Sequence, residues 1–465
     1  MRLNLTLAAV ATSLLFVSAP GAAQTGAPHE KQARDLLERV TSFRSAEGQG
    51  QVPALANYLK GVLRAGGVAE ADIVMLPKGE TTGMLVRIPG RKGGARPILF
   101  SAHMDVVDAR PEDWTRDPFK LVEEDGYFFG RGVLDNKTGV VALASTILRL
   151  KSARRPPERT LIFAFVGDEE TTFGTTELIA AHPWVKGAEY AINTDAGDGL
   201  SGPDGKPLIY LVQGAEKTYA TFDVTVTNPG GHSSRPRPDN AIYELAAALT
   251  RIGQYRFPVM DSPLTRAHLG AVGQVTPGKT GEMLRRFSAN PQDKEAADAL
   301  FVDPSFVGTT RTTCVATMLD GGHAENALPQ KASAKVNCRI FPGVPVEEVR
   351  KELVRAIGND AIIVKTTGNP LESPISEPRA DVMAAITRDI HARHPGIPIA
   401  PYLESGGTDG VIYRRAGIPT WGSSAIFIKP EEMFAHGLNE RIPVKSFYES
   451  VDHIYGLAVT LGGAR

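Results

Sequence analysis

Cysteine is almost missing from this 465-residue chain, which has only Cys314 and Cys338. Two thiols are too few for a thiolate metal cluster or a disulfide scaffold. Both lie in strand-like segments, and two readings stand side by side: a disulfide across a ladder, or two small buried apolar side chains. An excess of one charge is missing as well. With 51 Lys and Arg against 52 Asp and Glu, no basic stripe points to nucleic acid and no acidic tail points to disorder. Long apolar runs are missing after the first residues. There, Arg2 precedes the apolar run Leu5 to Val17, and "SAPGAAQT" supplies small residues around a cut after Ala23. That run is short for a bilayer and reads as a secretory signal peptide. The expected location is the periplasm or outside the cell, with no membrane attachment after cleavage. Two catalytic signatures are absent too. "GHSSR" lacks the second glycine of a G-x-S-x-G elbow and "HEKQA" is not H-E-x-x-H, so serine hydrolases of that type and helical zinc proteases are excluded.

What is present is a soluble globular composition, 42% hydrophobic and 22% charged, in a chain long enough for two domains. The short apolar runs "PILFSAH", "LIFAFV" and "AEYAINT" alternate with the helical spacing of "TGVVALASTILRL". This predicts an α/β unit with a mixed central sheet flanked by helices. From Lys217 the texture changes. "TYATFDVTVT" alternates with period two, and the following segments read as β-α-β-β-α-β, the order of a ferredoxin-like α+β unit. An extra helical or irregular insertion occupies roughly 265–310. The expected division is signal peptide 1–23, a larger domain in two parts, 24–215 and 369–465, and a smaller domain, 216–368, that interrupts it.

Chemistry-bearing residues gather where strand runs stop, the end of an α/β sheet at which ligands bind. His103 and Asp105 close "PILFSAHMD", Glu169 and Glu170 close "LIFAFVGDEE", and Asp195 closes "AINTD". Asp135 lies in "GRGVLDNKTG" before a helix, and His436 in "MFAHGLNERI". Each alone reads as an N-cap, a solvated turn or a surface residue. Together, two imidazoles and three carboxylates form a ligand set suited to a pair of zinc ions with open positions. Coordination would also explain an imidazole at the end of a buried apolar run.

With those motifs in order, "HMDVVDARPEDWTRDPF", "EDGYFFGRGVLDNKTG" and "HGLNERIPVKSFYESV", the chain resembles the zinc-dependent metallopeptidase family that includes carboxypeptidase S, glutamate carboxypeptidase, aminoacylase and succinyl-diaminopimelate desuccinylase. It is most similar to the carboxypeptidase S-like branch. The resemblance implies two Zn2+ per subunit, for which Co2+ or Mn2+ could substitute. Asp135 would bridge them, His103 and Asp195 would hold one, and Glu170 and His436 the other. It further implies Glu169 as general base toward a water shared by the ions, Asp105 as the partner of His103, and a cis Asp135–Asn136 peptide bond. His232 would act as a lid histidine that reaches a partner subunit's site in a homodimer. Asn326, Arg339, Gly406, Gly407 and Thr408 would bind substrate, Arg339 and the glycine-rich loop receiving a carboxylate. Asp rather than Glu at 195 leans toward peptides as substrate. The expected activity is hydrolysis of dipeptides or short peptides. N-acyl amino acid hydrolysis by the same machinery is the alternative, and a non-catalytic periplasmic peptide-binding protein is the distant one.

Overall fold

The computed structural model describes residues 28–464 except 92, 94 and 155; the signal-peptide expectation lies outside the described residues. A ten-stranded sheet forms the larger unit. At its centre, Ile98–His103 and Leu161–Val166 run parallel in register from Ile98↔Leu161 to His103↔Val166. Every residue of both strands is buried, as expected where helices cover both faces. On one face lie Pro28–Thr41, Lys137–Ser152, Ala380–Arg393 and Val444–Gly462, which pack Leu37, Leu143, Ile386 and Leu457 against Phe100 and Phe163. On the other, Gly174–Ala181 and Gly410–Arg415 bring Ile179 and Ile412 against Leu99 and Ile162. The mixed character comes from the flanks. Ile73–Lys78 and Thr81–Ile88 pair antiparallel, whereas Tyr190–Asn193 and Thr420–Gly422 pair parallel.

The smaller unit is a four-stranded antiparallel sheet with spatial order Thr313–Gly321, Lys331–Ile340, Thr218–Thr227, Ile363–Thr367. Helices Ala241–Gln254 and Val346–Ile357 cover one face, packing Leu245 and Leu353 with Phe222, Val224 and Val336. Alternating burial along Thr218–Thr227 reflects one covered and one open face. Cys314 and Cys338 are register partners on adjacent strands and form a disulfide, Cα to Cα 4.1 Å, which settles the two readings left open by the sequence.

The insertion is helical, Pro263–Val275, Gly278–Ala289, Lys294–Phe301 and Val307–Thr310. It leans on the larger unit rather than on the small sheet that encloses it in sequence. Leu269, Leu284, Phe287 and Leu300 cover Ile209, Leu211 and Ala400. The physical reason is the strand pair Pro207–Glu216 and Ile399–Glu404, whose apolar face would otherwise meet water. Among the described residues no helix is long and apolar enough to cross a membrane.

Candidate active site

The carboxyl ends of the buried strands converge with two loops. His103, fully buried, points Nδ1 at the main-chain oxygen of Asp105, 3.0 Å away. That leaves Nε2 facing Asp135 Oδ1 at 2.9 Å and Asp195 Oδ1 at 3.3 Å. Asp135 sits in the turn before Lys137–Ser152, at a cis Asp135–Asn136 bond. Its Oδ2 lies 3.0 Å from His436 Nε2, which is also 3.0 Å from Glu170 Oε1. Asp135, His103, Asp195, Glu170 and His436 are thus brought together, with Asp135 between the two histidines. Ligand atoms of His103, Glu169 and Asp195 lie within 4.8 Å of one another, as do those of His103, Asp135 and Glu170. Glu169, expected as a base, is therefore close enough to share the cluster.

The Asp105 carboxylate does more than face His103. Its Oδ1 is 3.5 Å from Nδ1, while its two oxygens accept the Glu169 and Glu170 amides at 3.1 and 3.0 Å. Asp105 therefore fixes the turn that carries both glutamates. Asn136, which carries no charge, donates from Nδ2 to Asp195 Oδ1 at 2.9 Å and orients that carboxylate.

The electrostatics follow from this crowding. Burial and the Asp195 charge hold the Glu169 carboxyl well above the usual carboxylate range. Burial pushes Asp195 up to about 7 against the pull of His103. Burial opposes ionisation of Asp135, yet hydrogen bonds from His103 and His436 hold it below its ordinary value. His436 is raised to about 10 by Asp135 and Glu170. Burial opposes a charge on His103, but Asp195, Asp105 and Asp135 outweigh it and hold its pKa up. Asp135, Glu169, Glu170 and Asp195 thus share one site, and among the described residues the ion pairs of Asp135, Glu170 and Asp195 run to His103 and His436. Oxygen and imidazole donors with surplus negative charge fit divalent cations, which would replace the protons as counter-charge.

Two cavities flank this cluster and share Glu169, Glu170, Arg339 and Gly407. One of about 440 Å3 contains Asp135, Asp195 and His436 together with Asp198 and Glu404. The other, about 650 Å3, is walled by Phe173, Tyr219, Pro370, Leu371 and Val411. Arg339 lines both, its guanidinium 4.8 Å over the Tyr219 ring and donating to Ser405 O at 3.3 Å. In the glycine-rich loop, two of the three backbone amides already have partners. The amides of Gly406 and Thr408 are occupied by carboxylates of the chain itself, Glu404 Oε1 at 2.9 Å and Glu216 Oε2 at 3.1 Å. They are not free for a substrate carboxylate, because the loop is closed by Glu404 and by the buried Glu216–Arg414 pair. Gly406, Gly407 and Thr408 all line the smaller cavity.

His232 and Asn326 are not brought to the cluster. They sit on an exposed two-stranded ribbon, Gly231–His232 with Ala327–Leu328, where Asn326 O accepts the Ser233 amide at 2.9 Å. Neither lines either cavity. The sequence reading missed Glu216 and Lys217. Lys217, 2% exposed, lines the larger cavity and donates to Arg311 O at 2.8 Å. Burial, with Arg339 nearby, pushes its pKa down to about 7. The one signal available was a pair of charges interrupting the long apolar stretch "LIYLVQGAEKTY".

A mixed sheet with carboxylates and imidazoles at its carboxyl edge fits a metal-dependent hydrolase of peptide or amide bonds. Residues 99–460 match the family described as Peptidase family M20/M25/M40, and the chain belongs to it. It is 30% identical over 384 residues to the N-fatty-acyl-amino acid synthase/hydrolase of Homo sapiens, covering 80% of this chain and 76% of that protein. It is 27% identical over 378 residues to a probable carboxypeptidase S-like protein of Dictyostelium discoideum, covering 78% and 71%. In structure it is similar to an M20 family metallo-carboxypeptidase from Sulfolobus solfataricus, TM-score 0.67 at 18% identity, covering 93% of this chain and 99% of that one. At that identity the likeness speaks for the fold alone.

Proposed function

We propose that the chain is a di-zinc amidohydrolase that frees an amino acid from an N-acyl group. The observation that carries it is Asp135 placed between His103 and His436, with Glu169 beside them. His103 and Asp195 would hold one ion, Glu170 and His436 the other, and Asp135 both. Such ions supply Lewis-acid polarisation of the scissile carbonyl and a water made acidic enough to ionise near neutral pH. Glu169, held in a buried and negatively charged setting, would accept a proton from the attacking water and pass it to the leaving amine. Arg339, without a carboxylate partner among the described residues, receives the free carboxylate of the amino acid. The cavity beyond it, with Phe173, Leu371 and Val411 on its walls, suits an apolar acyl chain. The human relative named for N-fatty-acyl-amino acids supports this choice.

A second reading, cleavage of dipeptides or short peptides, is favoured by Asp198 and Glu404 in the smaller cavity, where they would face a free ammonium. Release of the same amino acid from a free dipeptide, its N-acetylated form and a long-chain N-acyl form separates the two. Fast cleavage of the free dipeptide alone would overturn the acyl reading.

The same reading includes a homodimer through the smaller unit and export from the cytoplasm. The edge strand Thr313–Gly321 and helix Ala241–Gln254 expose Val315, Met318, Leu319, Ile242 and Tyr243. An unpaired apolar edge of this kind favours association, and a second copy would bring its His232 and Asn326 to the site. The Cys314–Cys338 disulfide supports an oxidising compartment.

A further inference from the structure

Two residues of the recognised motifs have no role in the reading above, Arg131 of "GRGVLDN" and Glu440 of "HGLNERI". They are 309 positions apart and form an ion pair, Nη1 to Oε2 at 2.8 Å, with side chains 3% and 0% exposed. Glu440 Oε2 also accepts the Gly132 amide at 3.0 Å. Its Oε1 accepts the Leu134 amide at 2.8 Å and the Asp135 amide at 3.1 Å. One carboxylate thus organises the backbone that leads into Asp135. The other arm of Arg131, Nη2, donates to the main-chain oxygen of His436 at 3.3 Å. His436 has φ of +62°, a backbone region that a residue with a side chain occupies when its surroundings hold it there. Its side chain is half exposed, so little packing fixes it otherwise.

We propose that the Arg131–Glu440 pair is a positioning device that sets Asp135 against His436 and so governs the affinity of the cation held by Asp135, Glu170 and His436. Replacing a buried ion pair with apolar residues is often neutral or even stabilising, so stability alone does not account for this one. Position does: every remaining donor around the Glu440 carboxylate belongs to the turn that presents Asp135. The opposite site shares Asp135 and so depends on the pair in part, while its other two ligands are held elsewhere. His103 is the last residue of a fully buried strand, and Asp195 is oriented by Asn136. The effect is therefore asymmetric between the two ions.

This inference rests on the two-ion reading, and the test keeps the two apart. Metal-free wild type, Glu440→Gln and Arg131→Lys are titrated with zinc in competition with a chromogenic chelator, and the metal-free forms are melted. Glu440→Gln leaves Arg131 buried without its counter-charge and is expected to melt lower, with one zinc losing about 10–100-fold in affinity and the other losing less. Arg131→Lys keeps a cation for Glu440 but loses the reach to His436 O, so a smaller loss at the same ion is expected even if Glu440→Gln does not fold. Wild type that binds two ions alongside folded variants that bind both as tightly would overturn the positioning role alone. Equal weakening of both ions would overturn the asymmetry. Wild type that binds a single ion would overturn the two-ion reading itself.

Discussion

One carboxylate, that of Asp135, meets two imidazoles from opposite ends of the chain: Oδ1 is 2.9 Å from His103 Nε2 and Oδ2 is 3.0 Å from His436 Nε2. A shared carboxylate is what holds two metals about 3.5–4 Å apart. If the site holds two ions as proposed, removing this carboxylate should affect both, whereas removing His436 should affect one. Asp135→Ala is expected to lose tight binding of both zinc ions and His436→Ala of one only, read by metal analysis after dialysis against a weak chelator. A His436→Ala protein that retains two would remove that residue from the ligand set.

Glu169 is 8% exposed and lies beside His103 and Asp195. If it moves the proton, Glu169→Gln should lower kcat about 10²–10⁴-fold, the usual range for a positioned acid–base group. Because it is not assigned as an essential ligand, metal content should stay at the wild-type value. Activity within a few-fold of wild type, or loss of an ion together with activity, contradicts the assignment.

Much of the fold was legible because its central strands are buried on both faces and read as unbroken apolar runs. "LIFAFV" matches Leu161–Val166 residue for residue. The cluster was legible because four of its members, His103, Glu169, Glu170 and Asp195, follow such runs directly. Contacts between distant segments left no local trace. Nothing in "SGGTDG" shows that Glu216 and Glu404 occupy the Thr408 and Gly406 amides, and nothing in "NERI" shows that Glu440 reaches back to Asp135. The insertion was placed with the smaller unit for the same reason. Adjacency in sequence was visible, but the bare apolar face of Ile209 and Ala400 that it covers was not.

His232 stands on an exposed ribbon away from both cavities. If a second copy supplies it, mixing inactive His232→Ala with inactive Glu169→Gln subunits should restore part of the activity. About a quarter of the wild-type rate is the ceiling for random reassortment with one intact site per hybrid. No recovery from refolded mixtures would place the whole site within one chain.

The Cys314–Cys338 bond closes a 24-residue separation around Asn326 and ties an edge strand to its neighbour. Restricting the unfolded chain over a loop of that size stabilises by about 3 kcal/mol. The Cys314→Ser, Cys338→Ser double variant should unfold at lower urea than the oxidised wild type, and dithiothreitol should shift only the wild type. A wild-type midpoint indifferent to dithiothreitol would show that the bond contributes nothing.

His268 contributes to the acid limb of stability. Its ring is 7% exposed, packs edge-on at 5.8 Å from Tyr402, and leaves Nδ1 without a hydrogen-bond partner among the described residues. Burial disfavours the imidazolium and pushes the pKa down to about 4, whereas an unfolded histidine titrates near about 6.5. Between those values the unfolded chain takes up a proton that the folded chain refuses. Stability is therefore at its full value above about pH 6.5, falls as pH drops toward about 4, and flattens below for this group. The full span corresponds to about 3 kcal/mol. Urea unfolding of metal-free wild type and His268→Gln, with chelator present so that loss of cations adds no slope, should show the steeper acid decline only in wild type. Parallel curves from pH 7 to 4.5 would mean that the ring is protonated in place, and the burial of His268 would then have no pH consequence.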